Sequence, residues 1–287
     1  MSDYKVAIFG LGAMGYGMGG ALRRAGLQTH GFDINPGTMA RFQADGGASG
    51  ALIDVAPTLD AAVIVVVNAA QTETVLFGPD GIAAHLTKGT VVIACATVAP
   101  DAARAMAARC ADLGLLYLDA PVSGGTVKAG DGTLSILASG APAAFDKARP
   151  ALDAMAATVF DLGDAVGAGS SMKAVNQMLT GVQIAAMAEA LTFGMTQGIA
   201  PEQFLNVIRQ CAGNSWALES RAPSIVQGDY RPLSAVDIWL KDLGIVLDIA
   251  KTSKFSAPIT AAALQQYLAA SGSGLGGEHD SAVAKVY

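Results

Sequence analysis

Two rhythms of apolar and polar positions run along the chain, changing over near residue 165. Before that point, short β-branched runs such as "KVAIFGL", "QTHGFD", "AAVIVVV", "GTVVIACAT" and "LLYLDAPV" alternate with stretches of helical spacing such as "GMGGALRRAG". Strands separated by helices predict a parallel sheet wrapped by helices. Beyond it the strand signals stop. Long stretches with helical periodicity follow, including "SMKAVNQMLTGVQIAAMAEALTFGMTQG" and "AVDIWLKDLGIVLDIAKTS", punctuated by "GIAPEQ" and "GDYRPLS". The pattern predicts an α/β unit over residues 1–165 and an all-helical unit over 166–287, with a helix from about Ser170 to Gly198 joining them. At ~1.5 Å per residue that helix is roughly 40 Å long, enough to leave one unit and cross the other. "SGSGLGGEHD" reads as a turn-rich segment, and no internal repeat is evident.

A length of 287 residues exceeds one typical domain of ~100 to 200 residues, in keeping with two units. The chain is 52% hydrophobic and 15% charged, but 34 glycines supply turns. Apolar runs such as "AAVIVVV" fall far short of the ~20 residues a bilayer demands, so no membrane association is expected. "MSDYKVAIFGLG" runs into a strand with neither a basic n-region nor a cleavage-like site, which points to the cytoplasm. Cys95, Cys110 and Cys211 lack CxxC spacing and His30, His85 and His279 are equally dispersed, so neither a metal site nor a disulfide framework is expected. A net charge of -6 and a pI near 5.0 disfavour nucleic-acid binding, which needs a basic footprint to displace counterions.

The first chemical signal is "VAIFGLGAMGYGMGGALRRAG", which sets Gly10, Gly12 and Gly15 at GxGxxG spacing between a strand and a helix. Gly10 permits a tight turn, Gly12 lets backbone approach a pyrophosphate and Gly15 allows close helix packing, while the helix N-terminus offers N–H groups. The second strand ends in Asp33, 21 residues after Gly12, near the spacing of a ribose-binding carboxylate. The competing reading is a Gly-rich turn beside a surface acid. Asp33 would repel a 2'-phosphate, and Ile34 stands where an arginine clamp would be expected, so NAD is favoured over NADP. Thr97 ends the "VVIACAT" strand, either at the ligand-gathering carboxyl edge of the sheet or as an ordinary helix N-cap.

Two further stretches carry candidate chemistry. In "DAPVSGGTVKAGDGTLSILASG" the small residues Ser123, Gly124 and Gly125 can turn N–H groups and a hydroxyl toward one carboxylate; a ligand-free hairpin connection is the alternative. In "GAGSSMKAVNQMLTGV" Lys173 shares a helical face with Asn176 and Gln177 among apolar neighbours. A partly buried lysine there suits proton transfer at a hydroxyl, whereas a snorkelling lysine would serve no chemistry. Lys241 and Asp242 in "DIWLKDLGIVLD" leave open a cofactor or substrate contact or a simple salt-bridged face.

Four ordered motifs, "IFGLGAMG", "DAPVSGGTVKAGDGTL", "GAGSSMKAVNQ" and "WLKDLGIVLD", together resemble the β-hydroxyacid dehydrogenase family over nearly the whole chain. The resemblance implies a Rossmann-like domain followed by a helical domain, and an NAD-dependent oxidoreductase of small hydroxy acids that associates into homodimers or homotetramers through its helical part. It implies a dinucleotide site at Gly10, Leu11, Gly12, Ala13, Met14, Gly15, Asp33, Val67, Asn68 and Thr97, with Lys241 closing on the cofactor. It further implies a carboxylate loop at Ser123, Gly124 and Gly125, a catalytic Lys173, and substrate contacts from Asn176 and Gln177. Many members carry an Asn pair after the lysine, a proline where Asn68 stands and an aromatic residue where Leu233 stands, so the pocket here departs from theirs. "VVNAAQTETVLFG" and "SAVDIWLKDLGIVLD" are most similar to the L-threonate dehydrogenase branch, which implies a polyhydroxylated acid. A 3-hydroxyisobutyrate dehydrogenase, a short-chain semialdehyde reductase and a non-catalytic nucleotide sensor remain the alternatives.

Overall fold

The computed structural model describes residues 3–231 and 233–287. Met1 and Ser2, in the N-terminal lead-in, and Pro232, in the "GDYRPLS" break, lie outside the described residues. The chain forms two compact units, Met1–Lys173 and Ala174–Tyr287.

In the first unit β1 (Lys5–Phe9), α1 (Gly15–Arg24), β2 (Gln28–Phe32), α2 (Pro36–Ala44), α3 (Leu52–Val55), β3 (Ala61–Ile64), α4 (Ala69–Phe77), β4 (Val91–Ala94), α5 (Pro100–Asp112) and β5 (Leu116–Asp119) build a five-stranded parallel sheet in the order β2-β1-β3-β4-β5. Side chains alternate across each strand, so every strand feeds two cores. Val6, Ile8, Val91 and Ile93 face Met18, Leu22 and Leu152 on one side, and Ala7, Phe9, Val92 and Ala94 face Leu76 and Met106 on the other. Burial on both faces is why these strands read as continuous apolar runs rather than as alternating ones.

The sequence pattern anticipates one sheet, and the structure holds a second. β6 (Val122–Ser123), α6 (Gly125–Asp131), β7 (Leu134–Ala138), α7 (Pro142–Met155) and β8 (Ala156–Asp161) follow, with β6 antiparallel and β8 parallel to β7. A backbone bridge from Asp119 to Ser139 ties this small sheet to the end of β5.

α8 (Ala168–Thr196) begins in the first unit and runs for 29 residues. By length and composition it is the one described helix able to cross a membrane, longer than the apolar runs of the strands. In the fold its Ile184, Ala188 and Leu191 are fully buried in the core of the second unit. Around it lie α9 (Pro201–Ile208), α10 (Trp216–Gln227), α11 (Val236–Thr252) and α12 (Pro258–Ala270). No named strand occurs among the described residues of this unit.

Gly181 is obligatory here: a Cβ would lie 2.8 Å from Leu243 and 2.9 Å from Trp239, and its carbonyl accepts the buried Tyr267 hydroxyl at 2.8 Å. Trp239 stacks on Tyr267 and donates to the buried Asp280, which also pairs with Arg221 at 2.8 Å. A buried carboxylate thus gains one hydrogen-bond donor and one cation, the condition under which such a group is tolerated.

Candidate active site

Strand order places the ligand-gathering edge. β1 leads outward to β2 and β3 leads the opposite way, so the gap above their carboxyl ends is the topological switch point of an open sheet. The Gly10–Met14 turn follows β1, Asp33 follows β2, Val67 and Asn68 follow β3, Thr97 follows β4 and Ser123 follows β5. Four stretches distant in sequence therefore share one edge of one sheet, and the chain leaving β5 at that edge runs on to Ser123 in β6 of the small sheet.

Each glycine of the first turn has its own steric reason. Gly10 has φ +93°, and a Cβ there would approach the Val65 carbonyl oxygen to 2.2 Å; at Gly15 it would lie 1.8 Å from the Gly10 carbonyl oxygen. At Gly12 nothing lies within 4 Å, so the backbone is open to an approaching group. Leu11 is buried in the sheet core, whereas Ala13 is exposed and Met14 occupies the N-cap position of α1, where no side chain caps the helix. The N–H groups of its first turn and its positive dipole end suit a phosphate.

Asp33 binds this turn to the second strand. Its Oδ2 accepts the Leu11 N–H at 2.6 Å and its Oδ1 accepts the Asn35 N–H at 2.8 Å. A carboxylate has about four acceptor positions, so capacity remains for ribose hydroxyls. Ile34 beside it is fully exposed and brings no cation to a 2'-phosphate. The cradle and its acid thus fit a dinucleotide without a 2'-phosphate.

The neighbouring edge residues are more local in character. Asn68 caps α4, its Oδ1 accepting the Gln71 N–H at 2.9 Å, while Gln71 Oε1 accepts the Val67 N–H at 2.9 Å. Its amide oxygen is therefore shared with helix capping. α5 begins at Pro100 with Ala99 at its N-cap, so Thr97 lies before the cap position. Ser123 ends β6, and Gly124 and Gly125 take φ of +140° and +76°, conformations that side-chain-bearing residues rarely adopt. The hairpin alternative for this loop gives way to a turn directly into α6.

Lys173 lies in the second turn of α8 and is 7% exposed. The helix start is pinned by Asp119, an acid at the end of β5 that is 1% exposed. Asp119 Oδ2 accepts the Gly167 N–H at 3.0 Å and the Ser170 N–H at 2.8 Å, and Oδ1 accepts the Ser170 hydroxyl at 2.7 Å. Burial raises its pKa above the ordinary carboxylate value, against the lowering pull of these hydrogen bonds. Sequence reading missed Asp119; the available signal was one acid closing an otherwise apolar strand, "LLYLD".

A second cluster forms within the helical unit. Lys241 Nζ pairs with Asp242 Oδ1 at 2.7 Å, and the 2%-exposed Asp242 accepts through Oδ2 from Gln177 Nε2. Gln177 Oε1 in turn accepts from Asn176 Nδ2 at 2.9 Å. The salt-bridged reading of Lys241 is met, and its acid is at the same time the partner of a candidate substrate residue. Among the described residues no group of acids, cysteines and histidines could hold a metal ion.

Known proteins match both units. Residues 5–163 match the NAD binding domain of 6-phosphogluconate dehydrogenase, and residues 167–287 match the NAD-binding domain of NADP-dependent 3-hydroxyisobutyrate dehydrogenase. L-threonate dehydrogenase of Cupriavidus necator is 48% identical over 99% of this chain and 96% of its own, and 3-hydroxyisobutyrate dehydrogenase of Pseudomonas aeruginosa 35% identical over 90% and 89%. A crystal structure of a 3-hydroxyisobutyrate dehydrogenase from Salmonella typhimurium superposes with a TM-score of 0.93 at 45% identity, covering 99% of this chain and 100% of that one. The Gly10–Gly15 cradle, the Rossmann-like sheet and these full-length matches together place the chain in the β-hydroxyacid dehydrogenase family of NAD-binding oxidoreductases, the family that includes 3-hydroxyisobutyrate dehydrogenase.

Proposed function

We propose that this oxidoreductase oxidises L-threonate at C2 to the 2-oxo acid with NAD. The observation that carries the reading is Lys173, a buried lysine on the same helix as an amide pair, Asn176 and Gln177, that is tied to a buried carboxylate. An all-apolar pocket would suit a methyl-bearing acid; hydrogen-bonding groups suit a substrate with several hydroxyls. The 48% identity to an L-threonate dehydrogenase, against 35% to a 3-hydroxyisobutyrate dehydrogenase, supports the same choice.

Bound NAD supplies the acceptor for the hydride that leaves the hydroxyl-bearing carbon. Gly10, Leu11, Gly12, Ala13, Met14 and Gly15 hold its pyrophosphate through backbone, Asp33 its ribose, and Val67, Asn68, Thr97 and Lys241 complete the dinucleotide site. The Ser123 hydroxyl and the backbone at Gly124 and Gly125 hold the substrate carboxylate. Lys173 Nζ takes the proton of the reacting hydroxyl, and Asn176 and Gln177 orient the substrate. In the reductive direction Lys173 returns the proton and stabilises the developing alkoxide.

A 3-hydroxyisobutyrate or semialdehyde substrate is the second reading, favoured by the name of the Salmonella structure. The functional division is drawn at 165/166, just ahead of the boundary of the compact units at Lys173, with most of the dinucleotide site and the carboxylate loop before it and Lys173, the amide pair and self-association after it. Association as a homodimer or homotetramer in the cytoplasm is part of the proposal; exposed Val175, Leu179 and Phe193 on α8 supply an apolar stripe for it.

Lys173→Ala should lower kcat with L-threonate at least ~100-fold, the low end for general acid/base assistance, while the dissociation constant of NADH stays within about twofold. Retained turnover would remove Lys173 from the chemistry.

A further inference from the structure

We propose that Lys128 is a further substrate-binding residue: its ammonium meets the carboxylate held by the loop of Ser123, Gly124 and Gly125, and makes an ionised acid a requirement of the substrate. This deepens the reading given above and rests on its assignment of that loop to the substrate carboxylate.

Lys128 lies on α6, whose first residue is Gly125, and is exposed. Long side chains on a helix lean toward its N-terminus and cover the turn before their own Cα. Here the chain before that turn is the loop. A Cβ built on Gly124 would lie 2.9 Å from Lys128 Cδ and 3.0 Å from Lys128 Cβ, so the aliphatic stem lies across Gly124. With its methylenes over the middle of the loop, the side chain brings its ammonium out beyond Gly124, towards Ser123 and solvent. Among the described residues no acid pairs with Lys128, so its charge is available to a ligand.

The face that Lys128 occupies points to the substrate rather than to the cofactor. α1, whose N-terminus opens on the dinucleotide cradle, packs against Gly130: a Cβ at Gly17 would lie 2.8 Å from the Gly130 amide nitrogen. Positions two apart on a helix are about 200° around it, so Lys128 and Gly130 take opposite faces of α6. The donors of the loop itself, the Ser123 hydroxyl and backbone N–H groups, are neutral and can serve an amide carbonyl as well as a carboxylate oxygen. A cation distinguishes the two, since it attracts a full charge as well as a lone pair. On a chain of net charge -6, a local cation also offsets the repulsion that an anionic substrate meets from the molecule as a whole.

The test compares kcat/KM for L-threonate with that for L-threonamide, the neutral amide of the same acid, both with NAD. Lys128→Met keeps a stem over Gly124 and removes the charge. It should lower kcat/KM for L-threonate at least ~10-fold, the low end for a hydrogen bond to a charged group, mainly through KM, and leave the amide within about threefold of wild type. Lys128→Arg keeps a cation and should hold both substrates within about threefold. Where the amide turns over too slowly to measure, its inhibition constant against L-threonate is read in place of kcat/KM. An equal loss for acid and amide makes Lys128 a support of the loop and overturns the proposal. So does weaker NADH binding by Lys128→Met with KM for L-threonate unmoved, which assigns the lysine to the cofactor. Ser123→Ala separates this inference from the reading beneath it: a raised KM for L-threonate in Ser123→Ala with none in Lys128→Met overturns the lysine alone, and no change in either overturns the loop. Absence of wild-type turnover of L-threonate overturns the choice of substrate, and the comparison moves to the hydroxy acid that is turned over and its amide. With no acid turned over, calorimetric binding of L-threonate to the NADH-bound protein takes its place, where weaker binding by Lys128→Met supports the inference and equal affinities overturn it.

Discussion

At the residue scale, Asp33 ties the glycine turn to the end of the second strand through two backbone N–H groups. Asp33 stands out as an acid ending a short strand after a glycine turn, and the structure gives it the Leu11 and Asn35 N–H groups to hold. Asp33→Ala should therefore loosen the turn and remove the ribose acceptor together, raising KM for NAD at least ~10-fold, while KM for NADP rises less or falls. Steady-state kinetics with both cofactors checks this; an unchanged cofactor preference would contradict it. Lys173 stood out as one cation in an apolar helix start, and its burial removes the snorkelling alternative. Asp119 and the partnership of Gln177 with Asp242 were not legible, because both depend on contacts between residues 51 and 65 positions apart that periodicity does not report.

At the element scale, the five parallel strands and the long helix followed directly from pattern, since buried parallel strands write themselves as uninterrupted β-branched runs. The helix expected over about Ser170 to Gly198 occupies Ala168–Thr196, shifted by two residues at each end. The small sheet was hidden. β6 has two residues, too short for any alternation, and β8 carries exposed Thr158 and Phe160 in place of an apolar run. What joins β5 to α8 is Asp119. Asp119→Ala leaves two backbone N–H groups and a hydroxyl without their acceptor in a buried place, and should lower the unfolding free energy by about 3 kcal/mol or more. Asp119→Asn should cost less, because the neutral side chain avoids the burial that raises the pKa of the acid and still offers one oxygen. Urea denaturation measures both, and a loss below about 1 kcal/mol for the alanine variant would contradict the anchoring role.

At the scale of the whole molecule, the order of motifs carried more than any one of them. A glycine turn, a small-residue loop, a lysine helix and a Lys–Asp helix occur on separate elements of two units, and full-length matches place that order in one family. Family membership was legible; the substrate depends on a few side chains inside it. The most direct measurement is the initial rate of NADH formation by the purified protein with L-threonate, D-threonate, 3-hydroxyisobutyrate and glycerate, each repeated with NADP. The account predicts the highest kcat/KM for L-threonate with NAD; a higher value for 3-hydroxyisobutyrate, or activity with NADP alone, would contradict it.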